Sequence, residues 1–209
     1  RVCFSRRPPV RRGHSHMFPD LRTFIDQLKR DGDLAVIEAQ VDANLEAAEI
    51  HRRVIAAGGP ALLFTNVAGA AFPLITNLFG TARRAELAFG TRPHQLIKRV
   101  AELAATLMPP TPAKLWAARD VAGALAGIGT RRRRRGPVTE VVTDDVRLDR
   151  LPLLTSWPED GGAFVTLPLV YTEHPERTGH NLGVYRLQRY DARTTGMHWQ
   201  IGRGGGFHY

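Results

Sequence analysis

Between Pro109 and Gly136 the chain changes its hydrophobic rhythm, and this break constrains the fold more than any other feature. It begins with Pro109-Pro110-Thr111-Pro112, continues through the Ala/Gly-rich Val121–Gly129, and ends with Arg131–Arg135 and Gly136. Proline has no amide hydrogen and stops a helix. A Pro/Gly/polar stretch with few apolar anchors reads as a domain boundary. Upstream, apolar residues recur at helical spacing between short strand-like runs; downstream, strand-like runs take over. The expected organisation is an α/β domain over 17–108, a linker region over 109–136, and from 137 to 209 the start of a β-rich domain.

In the upstream part Asp20 is expected to cap a helix carrying Leu21, Phe24, Ile25 and Leu28, ended by Asp31-Gly32-Asp33 before a strand at Leu34–Ile37. Asp42 or Asn44 then opens a second helix with Leu45, Ile50 and Val54, closed by Gly58-Gly59, and Ala61–Phe64 reads as a buried strand. Phe72–Thr76 is a third strand candidate. Thr81 is expected to cap a short helix to Phe89, and a longer one runs over His94–Met108 with Leu96, Val100, Leu103 and Leu107 on one stripe. Helices alternating with strands indicate an α/β fold class. In the downstream part, strands are expected at Val138–Thr143, Phe164–Tyr171 and Asn181–Tyr190, and three strands with an open edge do not close a core by themselves.

The formal charge of +9 would ordinarily point to nucleic acid. Its distribution argues otherwise. Ten of the positive charges are Arg1, Arg6, Arg7, Arg11, Arg12 and Arg131–Arg135, which leaves the rest of the chain at −1. The pentad is the basis for the rival function, a non-catalytic scaffold or basic adaptor that grips nucleic acid or acidic partners, but no aromatic residues are interleaved with it, and no nucleic-acid partner is expected. Residues 1–16 have no apolar signal core and precede Met17, so they read as a non-native or disordered leader; the arginine-rich, acid-free composition also fits a transit peptide. Cys3 is the only cysteine, which leaves no disulfide framework and no thiolate metal site. No run reaches the roughly eighteen apolar residues of a membrane span. A cytoplasmic protein is expected.

No G-x-S-x-G, Walker A, G-x-G-x-x-G or H-E-x-x-H motif is present. The unusual material lies late. Arg186 sits within an expected strand, where an outward arginine is merely solvated but an inward one needs a carboxylate, a phosphate or a ligand. Asn181 offers an amide oxygen to Mg²⁺ or Mn²⁺, or simply satisfies local backbone. Gly204–Gly206 beside Arg203 presents amide hydrogens for a phosphate, or forms a plain turn. His198 and Trp199 stack on a flat ring, or merely pack. Glu159 and Asp160 form an acid pair, or more simply a turn.

In order along the chain, these segments resemble the UbiD family of flavin-dependent decarboxylases. The resemblance runs through Gly58-Gly59-Pro60-Ala61-Leu62-Leu63-Phe64 with Asn66, Asn77-Leu78-Phe79-Gly80 with Arg84, Trp157-Pro158-Glu159-Asp160-Gly161-Gly162, Thr166-Leu167-Pro168, Asn181-Leu182-Gly183 with Tyr185-Arg186, and Thr194 to Gln200. It implies a small amino-terminal α/β domain followed by a split β-barrel domain that binds prenylated FMN with a divalent metal (Mn²⁺ or Mg²⁺) and potassium. Position by position, it implies Asn181 as the metal ligand and Val184, Tyr185, Arg186, His198, Trp199, Gln200, Arg203 and Gly204 as cofactor contacts. Arg186 also takes the place of the arginine in the family's acid-arginine-acid catalytic network. Some relatives place a histidine ligand where this chain has Gly202-Arg203.

The implied activity is loss of CO₂ from an aromatic carboxylic acid in quinone biosynthesis, with the Thr194–Tyr209 segment closer to the naphthoate, menaquinone-linked branch than to the polyprenyl-hydroxybenzoate (ubiquinone) branch. The family's proton-donating carboxylate lies beyond Tyr209, so this chain alone is expected to be inactive. The implied partners are a small aromatic acid substrate, a flavin prenyltransferase that supplies the cofactor, further copies of the full-length chain in a homo-oligomer, and peripheral membrane contact for lipophilic substrates. One geometric demand follows. Asn181 and Arg186 are five apart and face opposite sides of a regular strand, so they meet one ligand only if Gly183 marks a bulge or Asn181 lies just before the strand.

Overall fold

A computed structural model describes residues 18–106, 111–126, 134, 136–176, 178–199, 202, 204 and 206. The leader, Gln200, Arg203 and all of the arginine pentad except the exposed Arg134 lie outside the described residues. In chain order the elements are α1 (Leu21–Arg30), β1 (Leu34–Ile37), α2 (Glu46–Ala56), β2 (Ala61–Phe64), β3 (Leu74–Thr76), α3 (Ala82–Phe89), α4 (Arg92–Thr106), α5 (Pro112–Ala117), α6 (Arg119–Ala126), β4 (Phe164–Val165), β5 (Leu169–Glu173), β6 (His180–Val184), β7 (Leu187–Arg189) and β8 (Thr195–Met197). The described residues within Arg1–Ile25 and Ala82–Thr130 form one compact unit, and those within Asp26–Thr81 and Arg131–Tyr209 form another. None of the helices described is long and apolar enough to cross a membrane.

The helical unit contains α3 to α6. Its last two helices occupy half of the stretch expected as a linker region. Pro112 is tolerated because it stands at the first position of α5, where its missing amide hydrogen would have had no helical acceptor. Arg99 on α4 reaches Asp120 on α6 at 3.6 Å, and Arg119 lies 4.9 Å over the Trp116 ring. At the start of α1 the Thr23 amide donates to the Asp20 carboxylate at 2.8 Å, the expected N-cap. This hydrogen bond holds the Asp20 carboxyl below its ordinary range. Asp20→Ala is expected to lower the midpoint of urea denaturation; an unchanged midpoint would show that this hydrogen bond does not stabilise the start of the helix.

The second unit is built around β2. It runs parallel to β1, with Leu34 opposite Ala61, and antiparallel to β3, with Leu62 opposite Thr76. A central strand is covered on both faces and reads as an uninterrupted apolar run. Ala61, Leu62 and Phe64 are accordingly buried, and Leu62 and Phe64 join Val41, Ala47 and Val67 in the core. The parallel pairing requires a crossover, which α2 provides. This helix starts later than either expected cap implies. Leu45 precedes it at φ 70°, its amide donating to the Thr155 carbonyl. Asp42 instead accepts from the Asn44 amide in a turn, and Glu46 reaches back to the Asp42 amide. Gly58, at φ 63°, ends the helix as expected.

The late strands are shorter and more numerous than expected. Val138–Thr143 is no strand: a 3₁₀ turn covers Pro137–Thr139, and Val141 and Val142 are 84% and 81% exposed, so β-branching alone did not recruit a partner strand. Phe164–Tyr171 and Asn181–Tyr190 each break into two strands that belong to different sheets, order β4-β7-β8 and the antiparallel pair β5-β6. The first break falls at Thr166-Leu167-Pro168, where proline cannot donate to a ladder. The second falls at Tyr185-Arg186. No closed barrel forms among the described residues. The architecture is a mixed α/β fold of small sheets.

Candidate functional site

The break at Tyr185-Arg186 creates the site. On β6, half-buried Asn181 and Gly183 share one face, while Leu182 and Val184 share the exposed face with Leu169 and Tyr171 of β5. The register continues without a bulge through Gly183, which pairs with Val170, and Asn181 lies inside the strand opposite Thr172. Neither a bulge at Gly183 nor a position of Asn181 before the strand brings Asn181 and Arg186 together, and both expectations are corrected. The chain leaves β6 after Val184, buries Tyr185, and re-enters a different sheet at β7, which resets the facing of Arg186. Gly183 serves a different purpose from a bulge: a Cβ there would stand 2.5 Å from the Tyr185 ring, so glycine lets that ring fold back over its own strand. From there the Asn181 amide nitrogen donates to the Tyr185 hydroxyl at 3.0 Å.

Asn181, Gly183, Val184, Tyr185, Arg186, His198, Gly204 and Thr166 line one cavity of about 550 Å³. With its nitrogen committed to Tyr185, the Asn181 amide presents Oδ1 as an acceptor, and the Gly204 backbone stands so close to it that any Cβ at 204 would collide. Arg186 is gripped on several sides. Its Nη1 lies 3.3 Å from the Asp160 carboxylate, whose side chain is 2% exposed against 34% for the arginine. Its Nε donates to His198 Nδ1 at 3.3 Å. The guanidinium carbon stands 4.2 Å from the Phe164 ring centroid and 5.6 Å from that of Trp157. A cation over aromatic faces gains roughly 0.5–2 kcal/mol per contact. Trp199 packs on Tyr185, with ring centroids 5.4 Å apart.

Six of the residues singled out by sequence thus line the cavity, Trp199 supports it through Tyr185, and Gln200 and Arg203 lie outside the described residues. Thr166, Phe164 and Asp160 were not identified as site residues from sequence. The signal for Asp160 existed, because an inward arginine demands an anion, but 26 positions separate the two in the chain. Asp160 does occupy the expected turn, its amide donating to the Trp157 carbonyl. No cluster of three or more His, Cys, Asp or Glu side chains among the described residues could hold a metal by itself.

A larger cleft of about 810 Å³ opens beside α2 and β3, lined mainly by apolar groups including Leu45, Leu74, Leu154 and Trp157. Size does not make it the better candidate, since the convergent polar groups are in the smaller cavity. His51 borders the larger cleft, and burial pushes its imidazole below the ordinary range; Nδ1 is buried without a hydrogen-bond partner among the described residues. With the folded-state value depressed, the unfolded chain takes the proton first as pH falls below about 6.5. The unfolded state then binds more protons and stability falls with pH. His51→Gln is expected to flatten the loss of melting temperature between about pH 7 and pH 5; the same loss in both proteins would acquit this histidine.

Residues 25–104 match the N-terminal domain of 3-octaprenyl-4-hydroxybenzoate carboxy-lyase, and residues 130–209 match the Rift-related domain of the same enzyme. The chain belongs to the UbiD family. A relative from Chlamydia pneumoniae, described as one of the subunits of 4-hydroxybenzoate decarboxylase, is 50% identical over 188 residues, which are 90% of this chain and 32% of the relative. The chain therefore spans about a third of that relative's length. Two solved decarboxylase-family structures share the fold at 21% identity. The UbiD-class enzyme HmfF from Pelotomaculum thermopropionicum, in complex with prFMN, aligns over 90% of this chain and 39% of its own with a TM-score of 0.68. Vanillic acid decarboxylase from Sedimentibacter hydroxybenzoicus, in its closed form, aligns over 93% and 40% with a TM-score of 0.69.

Proposed function

We propose that this protein is a prenyl-FMN-dependent, non-oxidative decarboxylase of an aromatic carboxylic acid, acting in quinone biosynthesis, with 137–209 opening its flavin-binding domain. The observation that carries the proposal is that Arg186 and Asn181, which a regular strand would separate, line one cavity. Its volume lies within the range of small-molecule and cofactor sites. The residues present suit the cofactor: the Asn181 carbonyl is the kind of hard oxygen that Mg²⁺ or Mn²⁺ accepts, and Gly204 leaves backbone close beside it. Asn181 would hold the metal and Val184, Tyr185, Arg186, His198, Trp199, Gln200, Arg203 and Gly204 the flavin. HmfF, which shares the fold, binds prFMN.

Loss of CO₂ from an aromatic acid leaves negative charge on carbon, and a bound prenylated flavin supplies the electron sink for it. The chain's own residues supply position and charge. Arg186, restrained against Phe164 and Trp157, orients a carboxylate by charge-assisted hydrogen bonds. Being partnered before a ligand arrives, it has little orientational freedom left to lose. The 4-hydroxybenzoate decarboxylase subunit among its relatives weighs toward hydroxybenzoates over naphthoates as substrates. Potassium binding, a homo-oligomeric full-length state and supply of the cofactor by a flavin prenyltransferase belong to the same proposal.

The test is CO₂ release by the full-length protein, reconstituted with prenyl-FMN and Mn²⁺, from 4-hydroxybenzoate, vanillate and hydroxynaphthoate. Turnover of at least one acid that vanishes without the prenylated cofactor is expected. A loaded protein that releases no CO₂ from any aromatic acid would overturn the proposal.

A further inference from the structure

We propose that Asp160 is a positioning residue for Arg186, fixing the orientation in which the guanidinium meets a ligand in the cavity. The inference rests on the flavin reading of that cavity. Asp160 comes from the turn that begins at Trp157, its side chain almost wholly buried, and its Oδ1 lies 3.3 Å from Arg186 Nη1. A carboxylate removed from water to this degree is tolerated only when it is paired. Arg186 is its only ion-pair partner among the described residues.

The guanidinium is planar, so two separated contacts fix its plane. Asp160 holds Nη1, His198 Nδ1 accepts from Nε, and Phe164 packs on the face at 4.2 Å. Neither contact uses Nη2, and its two N–H groups, with the second N–H of Nη1, are what Arg186 can still offer a ligand. The Nε bond also requires a lone pair on Nδ1, which places the proton of neutral His198 on Nε2. Asp160 does not act by adding charge, because it cancels the charge of Arg186 locally. Removing the carboxylate charge should therefore leave attraction for a small unoriented anion intact or stronger. It should weaken a ligand that needs the guanidinium in one plane. A merely structural role would weaken both alike.

The test compares FMN and inorganic phosphate binding, by calorimetry with Mn²⁺ present, in wild type, Asp160→Asn and Asp160→Glu, with melting temperatures recorded alongside. FMN is expected to bind about tenfold more weakly to Asp160→Asn, with phosphate binding unchanged or tighter, and Asp160→Glu is expected to recover part of the loss. FMN affinity unchanged in folded Asp160→Asn, or parallel losses for both ligands, would overturn the inference while leaving the flavin reading intact. If Asp160→Asn does not fold, Asp160→Glu decides: a longer carboxylate that shifts the guanidinium must weaken FMN alone, and unchanged affinity overturns the inference. Wild type that binds no FMN overturns the flavin reading and this inference with it.

Discussion

Arg186→Ala is expected to lose between about ten- and a hundredfold in FMN affinity and to destabilise the protein by about 2 kcal/mol. Two separate physical effects combine. The ligand loses its charge-assisted donors, and the Asp160 carboxylate, 2% exposed, is left without its cation. The destabilisation is placed below the usual cost of breaking a fully buried pair because Arg186 is itself 34% exposed, which lets water reach the vacated side. Urea denaturation of Arg186→Ala, Asp160→Ala and the double variant separates the contributions. The double variant should be more stable than the sum of single losses predicts, since no unpaired charge remains. Additive losses would mean that the pair contributes nothing as a pair.

The second large effect is in the core, at a residue that does not line the cavity. Phe64→Ala is expected to remove about 3–5 kcal/mol of unfolding free energy. Phe64 is 0% exposed on the middle strand of its sheet, opposite Ile37 on one side and Leu74 on the other. Neither neighbour can close the space it would leave without breaking register. Against a typical total of about 5–15 kcal/mol for a domain, such a loss leaves a protein that melts near working temperature. Circular dichroism during urea titration reads it directly, and a loss below about 1 kcal/mol would show that the core collapses into the gap.

How far these features were legible in the sequence depended on whether their cause was local. The Asp20 cap, the Asp31-Gly32-Asp33 turn and the Ala61–Phe64 strand are local, since hydrogen bonds three to five residues apart and an uninterrupted apolar run specify them. The helices α5 and α6 were hidden because proline and glycine content was read as linker chemistry, although Pro112 stands where a helix accepts it. The strand breaks were hidden for a different reason. Val165 and Leu169, like Val184 and Leu187, continue an apolar strand pattern across each break, and only the switch between sheets shows that they are separate strands. Within the site, residue type made Asn181 and Arg186 candidates beside a plain structural reading, their spacing counted against a shared face, and the family resemblance singled them out. The contacts that give them a common cavity are between segments distant in the chain: Asp160 with Arg186, His198 with Arg186, and Gly204 with Asn181.

If Asn181 and Arg186 jointly form a metal-assisted flavin site, an FMN titration followed by flavin fluorescence will respond to the metal and to both side chains. Wild type should bind FMN at least about tenfold more tightly with Mn²⁺ than with EDTA, and Asn181→Ala should lose that dependence on metal. Equal FMN affinity with and without Mn²⁺, unchanged by Asn181→Ala and by Arg186→Ala, would mean that this cavity holds neither the metal nor the flavin.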